Sequence, residues 1–246
     1  MKNRARLLPL LLGLFLLAGC TVSPADPSAC APSGPVDSPP WFAACRVVDG
    51  ADSGSLLLAE SGGTGVFRLE TQGLEQDAPI EDGQLINVYF EDILETYPSQ
   101  FGGVSNVEHA ETERDDRCGL FLQVLEDLWN VDPGLNSGIT ELGVDLSQLT
   151  GLTGSEKAAV AWRFGELHGL TPIEGTWEEL CEQGYIDREH LAWEDGCLFS
   201  LTGSVKDGFE AQKWASGLGA YFFCGCTARQ ARDGTWTYKV GSEAIS

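Results

Sequence analysis

The chain has 246 residues and a mass of 26.5 kDa, which is enough for one or two domains with a hydrophobic core. With 43% hydrophobic and 21% charged residues, it has the composition of a folded protein and not of a disordered one. Its 37 acidic and 15 basic residues give a net charge of -22, which would repel a phosphate backbone. We therefore expect no nucleic-acid partner.

The N-terminus has the pattern of an export signal. Lys2, Arg4 and Arg6 precede an apolar run at 7–19. A membrane-spanning helix needs about 20 apolar residues, so this shorter run predicts a signal peptide over 1–19 and not a transmembrane segment. No later apolar run in the sequence approaches the length needed to span a membrane.

The signal ends in Leu-Ala-Gly-Cys at 17–20, which resembles the lipobox of bacterial lipoproteins. The resemblance implies that residues 1–19 are removed and that Cys20 receives a diacylglycerol. The mature protein would then be attached by its lipid to the outer, extracytoplasmic face of the cell membrane. The alternative is an ordinary secretory signal peptide followed by an incidental cysteine.

Residues 20–40 are predicted to be a tether. Six of the chain's 11 prolines lie within 21–40, mixed with Ser, Ala and Asp. Proline keeps such a segment extended and semi-rigid, so its expected role is that of a spacer. Because the mature chain would carry a net charge of -25, we expect it not to lie flat on anionic lipids.

Residues 41–112 are predicted to form a domain of short strands. Gly-containing turns such as Asp49-Gly50 and Asp82-Gly83 separate the strands, and apolar and polar residues alternate over 84–91. Five short strands favour a small five-stranded β-barrel, because closure removes exposed sheet edges. The candidate strands cover residues 45–48, 56–60, 66–70, 84–91 and 104–108.

Part of this domain resembles a known type. Asp-Gly-Gln-Leu-Ile-Asn-Val-Tyr-Phe at 82–90 and Ile-Leu-Glu-Thr-Tyr-Pro at 93–98 are similar to a run in small OB-like domains of uncharacterised lipoproteins from Gram-positive bacteria. The resemblance implies an OB-like fold and an extracytoplasmic location. It carries no catalytic residue.

An OB-like barrel often binds single-stranded nucleic acid through a basic groove and stacking aromatic residues. Residues 69–113, however, contain 11 acidic residues and no Lys or Arg. Charge therefore excludes nucleic acid here as well. A protein or peptide partner, or a cation, remains compatible with this domain.

Residues 113–246 are predicted to form an α+β domain, with helices followed by an antiparallel sheet. The apolar spacing over 118–129 predicts a helix, and two capping boxes, Thr153-x-x-Glu156 and Thr176-x-x-Glu179, begin two more. Asp187 is a candidate cap for a fourth helical turn. A strand is expected at 142–146 and an antiparallel meander over 196–246. The charged run at 111–117 marks the boundary at which we expect the two domains to be separable.

This second domain also resembles a known type. Trp-Glu-Glu-Leu-Cys at 177–181, Trp-Glu-Asp-Gly-Cys at 193–197 and the run at 212–228 are similar to an uncharacterised extracytoplasmic module of Clostridia-type bacteria. That module also occurs as a tail on membrane metallopeptidases of the antirepressor type. It implies no activity, and the chain has no H-E-x-x-H motif.

The sequence contains no recognisable catalytic motif. Its three histidines lie at 109, 168 and 190, and it has no G-x-S-x-G nucleophile motif. His190 and Glu194 would share a face of the predicted short helix, but such pairs are usually solvated. We expect no catalytic residue, no metal and no cofactor. A pair of carboxylates brought together by the fold would leave no trace in the sequence.

The cysteines allow disulfides in an extracytoplasmic protein. Cys30 and Cys45 are the candidate pair, because they would close a short loop at the end of the tether. Cys224 and Cys226 lie on one face of a predicted strand and are poorly placed to bond to each other. Zinc is an alternative, but C-x-C without a second ligand pair is a weak signal, so free thiols or disulfides are favoured.

Two functions remain open. The first is a non-catalytic binding or regulatory lipoprotein, and the second is a carboxylate-dependent hydrolase acting on wall or peptide material. For a binding protein, the interface candidates are the tryptophans of the second domain, although each of them is individually more typical of a core position. These candidates are Trp177, Trp193, Trp214 and Trp236.

Overall fold

The computed structural model describes residues 41–74 and 78–246; the predicted signal peptide and tether at 1–40, with Cys20 and Cys30, lie outside the described residues. The described residues form two β-sheets with 14 strands in total and three α-helices. The protein therefore has mixed α and β structure with mostly β-sheet. Within the same residues, no helix has both the length and the apolar composition needed to cross a membrane.

The first sheet is built from seven strands. Their order across the sheet is the fifth, sixth, third, second, first, fourth and seventh in the chain. The strands are β1 (Trp41–Asp49), β2 (Ser55–Glu60), β3 (Val66–Glu70), β4 (Leu85–Phe90), β5 (Asp92–Leu94), β6 (Ser99–Gly102) and β7 (Asn106–His109).

The five predicted strands correspond to β1, β2, β3, β4 and β7. In β4 the apolar residues Ile86, Val88 and Phe90 are buried, which confirms the predicted half-buried strand. The sequence does not predict β5 and β6. The reason is that β5 has only three residues, all of them exposed, and so has no alternation of buried and exposed positions.

The pairing within this sheet is mostly antiparallel. β1 pairs with β2 and β4, and β2 pairs with β3, all antiparallel, whereas β6 runs parallel to β3. No pairing between the edge strands β5 and β7 closes the sheet within the part of the chain that the structure describes. The strands and their neighbours are therefore established, whereas closure into a five-stranded barrel stays a prediction.

The helices begin where the sequence predicts. They are α1 (Arg117–Asn130), α2 (Gly154–Leu167) and α3 (Trp177–Glu182). Both predicted capping boxes are present, at Thr153 for α2 and at Thr176 for α3. Asp116 begins α1, because its carboxylate accepts a hydrogen bond of 3.1 Å from the backbone N–H of Gly119.

The second sheet is mixed. Its strands are β8 (Glu141–Asp145), β9 (Pro172–Glu174), β10 (Gly196–Ser204), β11 (Gly208–Ser216), β12 (Gly219–Gln230), β13 (Trp236–Lys239) and β14 (Ser242–Ile245). Their order across the sheet is β13-β12-β11-β10-β8-β9, and β14 also pairs with β12.

Over 196–246, where the sequence predicts an antiparallel meander, all pairings among β10 to β14 are antiparallel. The parallel part of the sheet lies outside that range. β8 pairs in parallel with both β10 and β9. The chain reaches β10 from β8 only after α2, β9 and α3, and such a crossover is typical of parallel strands. A parallel pairing between distant segments leaves no local signal, so the alternation at 142–146 predicted a strand without its partners.

The largest hydrophobic cluster includes residues from both sheets. Val48 and Leu57 of the first sheet are buried in the same cluster as Phe121 of α1 and Phe199 of the second sheet. α1 and α2 both contact strands of the two sheets. A second cluster lies within the first sheet, around Val88, and a third around α3.

Ion pairs also join α2 to the first sheet. Arg163 Nε lies 2.5 Å from Asp49 Oδ2, and Arg68 Nη2 lies 2.6 Å from Glu166 Oε1. In addition, Ser155 Oγ donates a hydrogen bond to a backbone carbonyl of β2. These contacts join residues that precede the segment 111–117 to residues that follow it, although the sequence predicts a domain boundary there. Independent folding of the two parts stays a prediction.

Lys213 of β11 is fully buried at the end of α1. Four acceptors lie within hydrogen-bonding distance of the three hydrogens on its Nζ: the backbone carbonyl oxygens of Trp129, Val131 and Asp132, and Asn136 Oδ1, the last at 2.6 Å. Burial lowers the pKa of this amine below its usual value. The ammonium group therefore satisfies carbonyl groups at and beyond the end of α1 that lack partners within the helix.

Candidate functional site

A large concavity lies between α3, the turns that follow it and the start of β8. It is open to solvent and has a volume of about 1160 Å³. We call it the acidic cleft. It is lined by Glu141, Cys181, Gln183, Gly184, Tyr185, Ile186, Asp187, Arg188, Glu189, His190, Ala192, Trp193, Glu194 and Asp195.

Asp187 organises one wall of the acidic cleft. Its carboxylate accepts hydrogen bonds from the backbone N–H groups of Glu189 and His190, at 2.9 and 3.0 Å, and from the His190 ring at 2.7 Å. These bonds lower the pKa of the Asp187 carboxyl group, so the group stays ionised. The predicted helical turn with His190 and Glu194 on one face is wrong, because these bonds close a non-helical turn instead.

Trp193 forms the base of the acidic cleft. Only 3% of this residue is exposed, and its Nε1 donates a hydrogen bond of 2.6 Å to Glu141 Oε2. Gly196 is required beside it, because a Cβ atom there would lie 2.2 Å from the indole ring. The Tyr185 ring lies 5.8 Å from that of Trp193. The aromatic base is therefore held in one orientation before any ligand binds.

Carboxylates dominate the charge of the acidic cleft. Five acidic side chains line it, and Arg188 is its only lysine or arginine. Glu189, Glu194 and Asp195 have no ion-pair partner among the described residues. The guanidinium of Arg188 lies 5.2 Å from the ring centre of Trp177, so it is held at the rim by a cation–π contact.

The structure brings together three of the four predicted interface tryptophans. Trp193 is in the third hydrophobic cluster, and Trp177 and Trp214 pack against that cluster with their rings 6.2 Å apart and nearly perpendicular. Trp236 lies elsewhere, beside α1. Sequence reasoning treated Glu194 as part of a solvated pair and assigned no binding role to the carboxylates of the acidic cleft, although the density of acidic residues over 187–195 is a signal that could have indicated one.

The cysteines among residues 41–74 and 78–246 belong to no group of side chains that could hold a metal ion. Among the described residues, no three His, Cys, Asp or Glu side chains are grouped as a metal ion would require. Cys45 is fully buried, and burial raises the pKa of its thiol to about 12. Its candidate disulfide partner, Cys30, lies outside the described residues. Cys226 is buried and Cys224 is half-buried, both as free thiols.

The other two histidines have structural contacts. His168 stacks on Trp129, with ring centres 3.6 Å apart, and its Nε2 lies 2.8 Å from a carboxylate oxygen of Glu126. His109 Nε2 lies 3.3 Å from a backbone carbonyl. Neither of them lines the acidic cleft.

Comparisons of the chain with protein-family models, with curated proteins and with solved structures gave no match.

Proposed function

We propose that the protein is a non-catalytic binding lipoprotein and that its acidic cleft binds a cationic ligand, such as a basic segment of a peptide or protein. The observation that carries this proposal is the lining of the acidic cleft by five carboxylates and a single arginine. Carboxylates that face one cavity raise the local concentration of cations and favour their binding.

The arrangement of these groups supports a binding role. Glu141 and Asp187 are engaged in orienting Trp193 and His190, whereas Glu189, Glu194 and Asp195 have no ion-pair partner among the described residues. A ligand amine or guanidinium could therefore pair with carboxylates that need not break an existing bond. The immobilised Trp193 lowers the entropy cost of ordering the site when a ligand binds.

The location belongs to the same proposal. The leader at 1–19, the Leu-Ala-Gly-Cys resemblance and the proline-rich segment support a lipid anchor at Cys20 on the outer face of the cell membrane. Replacement of Cys20 by Ser should leave an unprocessed precursor or release the protein from the membrane fraction. Correctly processed Cys20→Ser protein that stays in that fraction would contradict the anchor.

We also propose that the first sheet is an OB-like arrangement, as the resemblance of 82–98 implies. β4 ends at Phe90 and β5 begins at Asp92, so one segment of the chain pairs first with β1 and then with β6. Because β6 in turn pairs with β3, the segment connects the two sides of the β1-β2-β3 meander. An experimental structure in which β4 and β5 diverge would exclude this arrangement.

A carboxylate-dependent hydrolase is the second candidate, and the same concave acidic lining favours it. Such an enzyme needs one carboxyl group with a raised pKa to act as the general acid. The pKa of Asp187 is instead lowered, which disfavours this residue in that role. A binding protein needs no such general acid, so a binding role accounts for the acidic cleft with fewer requirements.

Titration of the full chain with tetralysine and tetra-arginine peptides tests the function. We expect saturable binding that weakens with salt, because the contacts are ionic. Glu194→Gln should weaken it about fivefold, the loss of one charge pair worth about 1 kcal/mol. Glu111→Gln, which changes an exposed carboxylate outside the acidic cleft, is the matched control.

Two results would contradict the proposed binding role of the acidic cleft. An equal effect of both variants would mean that the net charge and not the acidic cleft attracts the peptides. Cleavage of a peptide or wall fragment that is abolished by Glu194→Gln would favour the hydrolase.

A further inference from the structure

A second concavity lies between α1 and β13, away from the acidic cleft. Its volume is about 420 Å³, within the range of ~300–1,000 Å³ that is typical of small-molecule sites. We call it the α1–β13 groove. It is lined by Asp116, Gly119, Leu120, Gln123, Trp236, Thr237 and Tyr238.

Two aromatic residues lie on one face of β13 in this groove. Trp236 and Tyr238 are two residues apart on the strand, so their side chains point the same way. Trp236 Nε1 donates a hydrogen bond of 2.7 Å to Asp115 Oδ1, and Tyr238 Oη donates one of 2.5 Å to Asp127 Oδ2. Each ring is therefore fixed at its polar end.

The opposite side of the groove is polar and comes from α1. Gln123 is exposed, and its Nε2 donates a hydrogen bond of 2.7 Å to Asp127 Oδ1. That bond leaves the amide oxygen and one amide hydrogen of Gln123 free to pair with a ligand. Asp116 accepts from Gly119 through Oδ1, and its Oδ2 has no hydrogen-bond partner among the described residues.

We propose that the α1–β13 groove is a binding site for a neutral saccharide. A sugar ring has an apolar C–H face that can pack on an aromatic side chain, and hydroxyl groups at its edge that both donate and accept hydrogen bonds. Trp236 and Tyr238 supply the aromatic surface, and Asp116 and Gln123 supply an acceptor and a combined donor and acceptor.

Other ligand classes fit less well. An apolar ligand would bury Asp116 and Gln123 without hydrogen-bond partners, which is costly. A cation would meet only Asp116 as a carboxylate of the lining, because Asp115 and Asp127 already accept hydrogen bonds from the two rings. An anion would be repelled by all three carboxylates.

The site is independent of the acidic cleft, since the two share no lining residue. Calorimetric titration of the full chain with cellotetraose and with the tetramer of N-acetylglucosamine tests the proposal. We expect saturable binding of at least one tetramer. Gln123→Ala and Asp116→Asn should each weaken it about fivefold, because the first removes a hydrogen-bonding amide and the second replaces a charged acceptor oxygen by a neutral N–H donor.

Gln183→Ala is the matched control, because it removes an exposed glutamine of the acidic cleft and should leave saccharide binding unchanged. Thermal unfolding of each variant shows that the fold is intact. Absence of saturable binding of both tetramers would overturn the proposal. So would equal weakening by Gln183→Ala, or binding that is insensitive to both groove variants. Failure of the acidic cleft to bind basic peptides would not affect the test of saccharide binding.

Discussion

The pKa of Asp116 is subject to two opposing influences. As the first residue of α1's cap it accepts a backbone hydrogen bond, which favours the ionised carboxylate. Burial and the nearby carboxylate of Asp82 act in the other direction and raise its pKa from 3.8 to about 6. Burial also raises the pKa of Asp82 itself. The folded protein therefore holds a proton on Asp116 more tightly than the unfolded chain does.

This difference predicts how stability depends on pH. Because the folded-state pKa is the higher one, the cost of ionising Asp116 is absent below pH 3.8 and complete above about pH 6. Asp116→Asn keeps an acceptor for the Gly119 N–H and removes the charge. We expect it to raise the free energy of unfolding at pH 8 by roughly 2 kcal/mol, and the gain to vanish near pH 4.

Chemical denaturation across this pH range measures the effect. Asp233→Asn is the control. Hydrogen bonds from Thr235 lower the pKa of that exposed carboxyl group, so this substitution should not raise the free energy of unfolding at pH 8. A gain for Asp116→Asn that is equal at pH 4 and pH 8 would contradict the assignment to ionisation.

At the residue scale, the sequence singled out three tryptophans that the structure packs together, and their role as an interface stays a prediction. Trp177 of α3, Trp193 just before β10 and Trp214 of β11 stand out by their size and pack together. Glu141 joins Trp193 from a distance of 52 residues, and no local pattern announces such a contact. The prediction for 187–194 failed because Asp187 can cap a helix or close a turn with the same hydrogen bonds.

At the element scale, segments with local signals were predicted and those without were not. The capping boxes of α2 and α3 are complete within four residues, so they could be read directly. β8 and β9 depend on parallel partners far along the chain. β5 and β6 are short and partly exposed, so they carry little hydrophobic pattern.

Lys213 allows a test of how α1 is held at its end. Lys213→Met keeps most of the side-chain volume and removes the donor that serves the carbonyl groups near Val131 and Asn136. These groups would stay buried without a partner, so we expect a loss of about 3 kcal/mol in the free energy of unfolding. Lys206→Met, at an exposed position of the same domain, should change it little.

Equilibrium denaturation with urea measures both variants. A Lys213→Met protein as stable as the parent would mean that water or a shift of the backbone satisfies these carbonyl groups. In that event, the buried amine would not be needed at the end of α1.

At the scale of the whole molecule, the shared hydrophobic cluster was not foreseeable from the sequence. Each half has its own apolar pattern, and the charged run at 111–117 is typical of a linker. The structure nevertheless buries Leu57 of β2 and Phe121 of α1 in one cluster, and Arg163 pairs across the same boundary. Contacts between segments so distant depend on the final packing and not on local periodicity.

These contacts predict that the two halves stabilise each other. A fragment of residues 113–246 would expose the apolar surface of α1 and α2 that the first sheet covers in the full chain. We expect it to unfold at a lower temperature than the full chain, as measured by circular dichroism. Equal melting temperatures would instead support the two separable domains that the charged run indicates.

The position of β1 has a mechanical consequence. β1 lies between β2 and β4 and is hydrogen-bonded to both, whereas β14, at the other end of the described chain, is exposed along its length and pairs with β12 alone. A force applied to the chain at Trp41 is resisted by the hydrogen bonds that β1 makes to both of its neighbouring strands. A pull on β14 meets a single row on an exposed strand. The fold therefore resists force better from its N-terminal side, the side that leads to the predicted tether.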